Sequence, residues 1–208
     1  MTTQVDICNK ALANVNESPI ATFNEASNEA DICRLHYVDC KRYILSEKEW
    51  QFAAAIRTLL PKTPTLSTDD LVGWKYAYDY PSPDVLKINS IFTDGNYNGI
   101  DYVISTRPTG FTPIPNYPLI FTNAKNAKAK VTIDFDTIHI LHPQFIEAFT
   151  WRLTALISVP LVGIDRGRLI QRDAMQAYNA ILRVAMIKDI SERRIKIDRT
   201  SNITKSRW

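Results

Sequence analysis

The sequence predicts an α+β fold, mainly α, in which a discontinuous four-helix bundle carries an inserted antiparallel β domain and an extended C-terminal arm. Near both ends of the chain, apolar residues recur at three- and four-residue steps, the period of an amphipathic helix. Between residues 74 and 138, large side chains alternate with others among turn residues, which is typical of short strands. The last stretch is basic and contains neither Gly nor Pro.

We therefore divide the chain into four parts. The helical bundle comprises residues 1–73 and 139–190, the inserted β domain comprises residues 74–138, and the arm comprises residues 191–208. The chain has 208 residues, 45% of them apolar and 23% charged, as in soluble globular proteins. No apolar run approaches the ~20 residues that cross a bilayer, and no secretory signal is visible, so we expect no membrane contact. Three cysteines without a CxxC motif favour a reduced cytosolic protein.

Two helices are predicted before residue 50. In "QVDICNKALANV", Val5, Cys8, Leu12 and Val15 share one face. The second helix is expected to begin near Ser27 or Asn28, both suitable N-cap residues. Its apolar positions are Ala30, Cys33, Tyr37, Cys40 and Ile44, widened by Leu35, Val38 and Leu45. The stretch "EWQFAAAIRTLLP" follows as a helical continuation that must end by Pro61.

The middle of the chain predicts strands. The candidates are "WKYAYDY", "DVLKINSIF", "IDYVIST", "YPLIFTN" and "KVTIDFD". Asp94-Gly95 and Asn98-Gly99 are turn signals between them. The segment "RPTGFTPIPNYP" contains four prolines and predicts an extended loop.

Two further helices are predicted after the strands. Pro143 suits a first helical turn, and "PQFIEAFTWRLTALISV" contains only two charged residues, Glu147 and Arg152. A helix that is apolar almost all round is expected to be the central buried one, ended by Pro160 and Gly163. The last helix is expected from about Asp165 to Asp189, with a seam formed by Ile170, Ala174, Ala177, Ile181 and Val184.

Two clusters could carry metal or thiol chemistry. Asp134, Asp136, His139 and His142 lie close together in "DFDTIHILH", but their spacing fits no strong zinc signature. We favour a strand edge that leads into a helix, with His142 near its N-cap, and expect no metal and no cofactor. The cysteines all fall on apolar helix faces and are expected to be small buried hydrophobes: Cys8, Cys33 and Cys40.

The sequence contains no G-x-S-x-G, no G-x-G-x-x-G and no P-loop motif, so we expect no enzyme and no catalytic residues. One enzymatic alternative stays open. A glycan hydrolase would use carboxylates in or near the β insert, drawn from Asp69, Asp70, Asp79 and Asp84. Carboxylate pairs are common, so this pattern discriminates little.

Four aromatic residues recur at every second position, Trp74, Tyr76, Tyr78 and Tyr80. On a strand they would share one face and form either a stacking platform for bases or sugars, or a cover over the junction between the β domain and the helices. We favour the cover, because large aromatic side chains more often pack than bind.

The chain's positive charge is concentrated at its end. Residues 188–208 hold seven basic and three acidic residues, whereas the whole chain has a net charge of only +3. Composition alone supports a disordered basic tail about equally well. The alternation of Ile195 and Ile197 with Lys196 and Asp198 favours a segment that becomes ordered by adding a strand to a partner's sheet.

Four stretches in order resemble the head-to-tail adaptors of short-tailed bacteriophages, also called tail tubular protein A. The first is the opening helix and turn, "ICNKALANVNESPI". The second is a helix that ends in a Trp-x-Phe-Ala step, Trp50 to Ala53 of "YILSEKEWQFA". The third is the strand pair of "WKYAYDYPSPDVLKINSIF", from Tyr76 to Ile88. The fourth is "HPQFIEAFTWRLTALISVPLVG", whose helix closes with Pro-Leu-x-Gly between Pro143 and Gly163.

The resemblance implies a structural virion protein, made in the host cytoplasm and located in the neck of the tail. Its copies are expected to form a ring, twelve-fold in the family, between the portal protein and the tail nozzle protein. The helical part and the arm would dock on the portal, the β part would point to the nozzle, and DNA would pass through the channel without sequence-specific binding.

Within the arm, we expect Ile195 and Ile197 to anchor it and Trp208 to be a hot spot. Arg193, Arg194 and Arg199 would steer the arm towards an acidic portal surface. A third hypothesis, besides the adaptor and the hydrolase, is that the basic arm binds DNA in the channel.

Overall fold

The computed structural model describes residues 2–62, 71, 73–81, 83–105, 118–136 and 141–191. Within these residues the chain is an α+β protein, about 50% helix and 23% strand, with four α-helices and two small antiparallel sheets. The predicted fold class is confirmed. The predicted arm after residue 191 and the predicted loop at 106–117 lie outside the described residues.

The helices are α1 (Gln4–Val15), α2 (Asn28–Glu47), α3 (Pro143–Val162) and α4 (Ile164–Ser191). α1 begins with a capping box, in which the Asp6 amide donates to Thr3 Oγ1 at 3.1 Å and the Thr3 amide donates to the Asp6 carboxylate at 2.8 Å. Ser27 caps α2, as predicted, by accepting a hydrogen bond from the Ala30 amide. Local sequence therefore defines where both helices begin.

α3 is the central helix, because it packs against α1, α2 and α4. Its core partners include Trp50, whose ring meets Phe145 edge-on with 5.1 Å between centroids and whose Nε1 donates to the Ile44 carbonyl at 2.9 Å. By length and hydropathy α3 is also long and apolar enough to cross a membrane, so the expectation that no segment reaches this length was wrong. In the described fold, 50% of that window is buried by the protein.

The strands are β1 (Ala54–Thr58), β2 (Tyr76–Asp79), β3 (Val85–Thr93), β4 (Asn96–Ile100), β5 (Tyr102–Ser105), β6 (Leu119–Thr122) and β7 (Lys128–Ile133). They form a four-stranded sheet in the order β1-β7-β3-β4 and a three-stranded sheet in the order β2-β6-β5. All pairs are antiparallel. Buried side chains from both sheets, among them Tyr78, Ile91, Ile120 and Val131, form one shared core.

The segment after α2 differs from the prediction. Instead of continuing as a helix, it forms one 3-10 turn at Gln51–Ala53 and then β1, which pairs along its length with β7. β1 begins with Ala54-Ala55, which have low β-propensity, so the pairing with β7 decides their conformation. The four-stranded sheet thus includes residues that precede position 74.

Three finer predictions were also wrong. Asn98-Gly99 lies inside β4, and the hairpin turn is at Asp94-Gly95, where Gly95 has a φ of +95°. On α2, Leu35 is 65% exposed and Val38 is exposed as well. On α4, Val184 is exposed, and the buried positions are Ala174, Tyr178, Leu182 and Ala185. The buried face of α4 is therefore rotated about the helix axis relative to the predicted seam, because it is the face that contacts α3.

The hairpin of α3 and α4 depends on a glycine. α3 ends at Gly163, which has a φ of +86°, and the chain reverses at once into α4. At Gly167, a Cβ would lie 2.7 Å from the Val159 Cα and 2.8 Å from the Ser158 carbonyl oxygen. Because both atoms belong to the backbone of α3, the two helices can approach this closely only without a side chain at position 167.

We expect Gly167→Ala to lower the free energy of unfolding by about 1–3 kcal/mol, because the added methyl forces the α3 and α4 backbones apart. Gly99→Ala is the matched control, since a Cβ there has no atom within 4 Å, and it should change stability by less than about 0.5 kcal/mol. Urea denaturation followed by circular dichroism measures both. Equal midpoints for the two variants would contradict this view of the hairpin.

Candidate interaction surface

Charged side chains fasten the helices to the β domain where β7 ends beside α2. Lys41 of α2 is only 7% exposed. Its Nζ lies 2.8 Å from Asp134 Oδ1 and 2.9 Å from Asp136 Oδ1, and it donates to the Phe135 carbonyl at 3.0 Å. Arg42 Nε adds a contact of 2.7 Å to Asp134 Oδ2. The strand end is thus held by two cations of one helix.

Burial alone would raise the pKa of the Asp134 carboxyl group. The hydrogen bonds from Lys41 and Arg42, together with their charges, outweigh burial and hold the pKa below its ordinary value. The carboxylate is therefore ionised at neutral pH and pairs with both cations.

These contacts also account for the "DFDTIHILH" cluster. Asp134 and Asp136 face Lys41, and His142 is the N-cap residue of α3, where its ring meets that of Phe52 at 5.4 Å. His139 lies outside the described residues. No group of three or more His, Cys, Asp or Glu side chains is arranged to hold a metal ion in the part of the chain that the structure describes.

A second charged anchor lies where α4 approaches the arm. Asp189 is 1% exposed, and its Oδ2 lies 3.0 Å from Lys48 Nζ. Its Oδ1 accepts a hydrogen bond from the Gln51 amide at 3.0 Å, and Lys48 Nζ also donates to the Met186 carbonyl at 2.6 Å. One buried carboxylate thereby joins the end of α4 to the turn between α2 and β1. The root of the arm is fixed at the junction of helices and sheets.

The residues predicted for portal binding lie outside the described residues: Arg193, Arg194, Ile195, Ile197, Arg199 and Trp208. Their side chains have no described position, and only the helix that leads to them is placed. α4 extends to Ser191, so its last turn reaches the residue at which the arm was predicted to begin.

The predicted aromatic face packs inside the β domain. Tyr78 is buried, donates from its hydroxyl to the Ala124 carbonyl at 2.8 Å, and accepts from the Ala127 amide. Tyr76 and Tyr80 pack against the same core between the sheets, whereas Trp74 packs on a separate cluster with Leu119 and Phe121. The three tyrosines therefore share a face that Trp74 does not, and this face meets the second sheet rather than the helices.

The cysteines lie in the helical core. Cys8, Cys33 and Cys40 are all buried free thiols, as expected of small hydrophobes. Burial raises the pKa of Cys40 to about 12, which keeps it a thiol at neutral pH.

Two carboxylates of the hydrolase alternative form ion pairs. Asp84 Oδ2 lies 2.7 Å from Arg57 Nη2, and Asp79 Oδ1 lies 3.2 Å from Lys62 Nζ. Asp69 and Asp70 lie outside the described residues. The described pairs have the geometry of ordinary surface salt bridges between the sheets and their flanking segments.

Exposed apolar side chains mark two surfaces. On the β domain they lie on β4 and β5, which are edge strands: Tyr97, Val103 and Ile104. On the outer side of α4 they are Leu169, Val184 and Ile187. Between α1 and α3, a groove of about 450 Å³ is lined by Lys10, Ala13, Asn14, Pro143, Ile146, Glu147, Thr150 and Trp151. Such surfaces are suited to contacts with other chains.

Sequence reasoning missed the two anchors. Lys41 lies one turn after Tyr37 and so falls on the apolar face of α2, a position where a lysine has to find a partner. That signal was available. Nothing local marks Asp189, whose partners are 138 to 141 positions away in sequence.

No protein-family model matches the sequence, and no curated protein matches it.

We expect Asp134→Asn to destabilise the protein by about 2 kcal/mol at pH 7, because it weakens a largely buried ion pair. The folded-state pKa is lowered, so the stabilisation is present above the unfolded value of about 4 and is lost as the pH falls through the folded value. The difference in unfolding free energy between wild type and variant should therefore shrink below about pH 4. Urea denaturation at a series of pH values measures it.

Asp31→Asn serves as the control, since Asp31 pairs with Arg34 on an exposed helix surface. It should change stability by less than about 0.5 kcal/mol at every pH. A wild-type advantage over Asp134→Asn that stays constant from pH 7 to pH 3 would show that the carboxylate's charge has no role in the junction.

Proposed function

We propose that this protein is a structural virion subunit, a head-to-tail adaptor whose copies form a ring between the portal protein and the tail nozzle protein. The proposal rests on how the end of α4, which leads into the basic arm, is held in the fold. A helix of 28 residues ends in a turn pinned by Asp189 to the junction of helices and sheets, so it presents the following segment from a rigid base. A contact arm works best from such a base, because less entropy is lost on docking.

The arm supplies charge and strand-forming residues. Arg193, Arg194 and Arg199 steer it towards an acidic portal surface, while Ile195 and Ile197 are buried as the arm adds a strand there, with Trp208 as a further anchor. Each contact can be weak, because a ring repeats it in every copy and the repetition multiplies the overall affinity.

The β domain supplies the opposite end of the adaptor. Among the described residues β4 and β5 each pair with a strand on one side only, and Tyr97 on β4 is 77% exposed. Open edges with apolar side chains are suited to another chain's strand, and in this proposal that chain is the nozzle protein. DNA passes through the central channel of the ring without base-specific contacts, and the mature location is the neck of the virion.

We expect deletion of residues 192–208 to leave the fold intact by circular dichroism but to abolish docking on the portal. Size-exclusion chromatography with light scattering should find full-length protein as a monomer alone and as a ring on the portal. The truncated protein should stay monomeric in both cases, since it lacks the anchoring residues.

Two sets of point variants separate charge from apolar contact. Arg193→Ala, Arg194→Ala and Arg199→Ala together should weaken docking at least about tenfold at low salt and flatten its salt dependence. Ile195→Ser with Ile197→Ser should weaken docking without changing the salt dependence. Unchanged affinity of the truncated protein would refute the role of the arm. Full-length protein that never forms a ring on a portal, but binds duplex DNA with a steep salt dependence, would favour the DNA-binding hypothesis.

A further inference from the structure

An unpaired guanidinium group lies between α2 and α4. Arg152 of α3 reaches into this space, where its Cζ is 3.5 Å from the centroid of the Tyr43 ring on α2 and 5.4 Å from that of Tyr178 on α4. Its Nε is buried and has no hydrogen-bond partner within the described part of the chain. Among the described residues, no Asp or Glu forms an ion pair with it, although most other cations near the core of the fold do have such a partner.

A second polar group beside it is also unsatisfied. Tyr178 is only 3% exposed, and its hydroxyl makes no hydrogen bond in the described part of the chain. Burial raises the pKa of Tyr178, so the hydroxyl stays protonated and can donate. On the other wall, Tyr43 is 45% exposed, and a hydrogen bond to Glu47 raises its pKa. Tyr43 is thus the exposed wall of this site, and the two unsatisfied groups, Arg152 Nε and the Tyr178 hydroxyl, lie buried behind it.

A purely structural role explains Arg152 poorly. α3 is otherwise almost wholly apolar, and a partly buried cation without a counterion destabilises a fold relative to an apolar side chain of similar size. The ring of Tyr43 compensates the charge through its face. The Nε–H donor in the plane of the guanidinium remains without an acceptor in the described part of the chain, and in-plane donors are the ones with which arginine binds a carboxylate.

We infer that Arg152 binds an Asp or Glu side chain of a partner protein, with the Tyr178 hydroxyl as an additional donor. A carboxylate fits better than a phosphate, because a single guanidinium offsets one negative charge and the negative charge of Glu47 beside the two tyrosines opposes a doubly charged anion. The open wall at Tyr43 admits a side chain carried by another protein surface. The inference rests on the proposed function for the identity of that partner, the acidic portal surface on which the arm also docks.

The first experiment tests the site without any partner. N-acetyl-glutamate amide and its neutral counterpart N-acetyl-glutamine amide are titrated into ¹⁵N-labelled full-length protein, and arginine Nε–H resonances are recorded. The Arg152 resonance is the one that disappears in Arg152→Lys. The glutamate probe should shift it progressively, and the glutamine probe should not. Equal shifts with both probes, or no shift with glutamate up to a concentration of ~100 mM, would overturn the inference.

The second experiment separates binding from packing. Arg152→Met fills similar space without the charge, so its thermal midpoint should equal or exceed that of wild type, while docking on the portal weakens about tenfold. Tyr178→Phe should weaken docking less. Arg172→Met is the control, because Arg172 is exposed and pairs with Asp173, and docking should not change. A lowered midpoint with unchanged docking would make Arg152 a packing residue and refute the inference.

The two proposals fail separately. If wild-type protein does not dock on a portal, the adaptor role is refuted. The glutamate and glutamine titrations still decide whether Arg152 is a carboxylate site, because they need no portal.

Discussion

The architecture depends on the contact of Lys41 with Asp134 and Asp136. The β domain is inserted between α2 and α3, so the chain crosses from helices to sheets twice, and both crossings lie beside this contact. A lysine so little exposed is stable only where carboxylates and a carbonyl surround its ammonium group. Those acceptors are at the end of β7, the neighbour of both β1 and β3, so the contact ties the interior of the four-stranded sheet to one turn of α2.

Aromatic side chains pack across this junction. Phe52 follows α2 in the chain and meets four other rings, those of Trp50, Phe135, His142 and Phe145. These rings come from both crossings and from the start of α3, so their packing holds the three segments together. Lys41 and Asp134 are largely buried beside them, and ion pairs in such a position are screened less by salt than exposed ones.

The helix ends were predicted from the sequence because local residues determine them. Features that depend on residues far away in the chain were missed. Ser27, Pro143 and Gly163 mark helix ends through their own backbone chemistry, and all three positions were recognised. β1 was missed because Ala54-Ala55 and its neighbours prefer a strand only when β7 offers hydrogen bonds. The seam of α4 was misplaced because its rotation follows the close approach at Gly167, which no periodicity reports. The charged anchors join residues about 90 to 140 positions apart, so the pattern of α2 could show that Lys41 needs a partner but could not identify that partner.

Charged side chains of the described fold differ in whether the protein itself supplies their partner. Those without one are the candidates for contact with another molecule. Lys41 and Asp189 are the buried charged residues in that part of the chain, and each has its counterion within the protein. The partly buried Arg152 differs, because its Nε has no hydrogen-bond acceptor in that part of the chain. The sequence that follows Asp189 is basic. In our proposal both features bind one partner chemistry, an acidic protein surface, and two features on different elements would make that contact more specific than either alone.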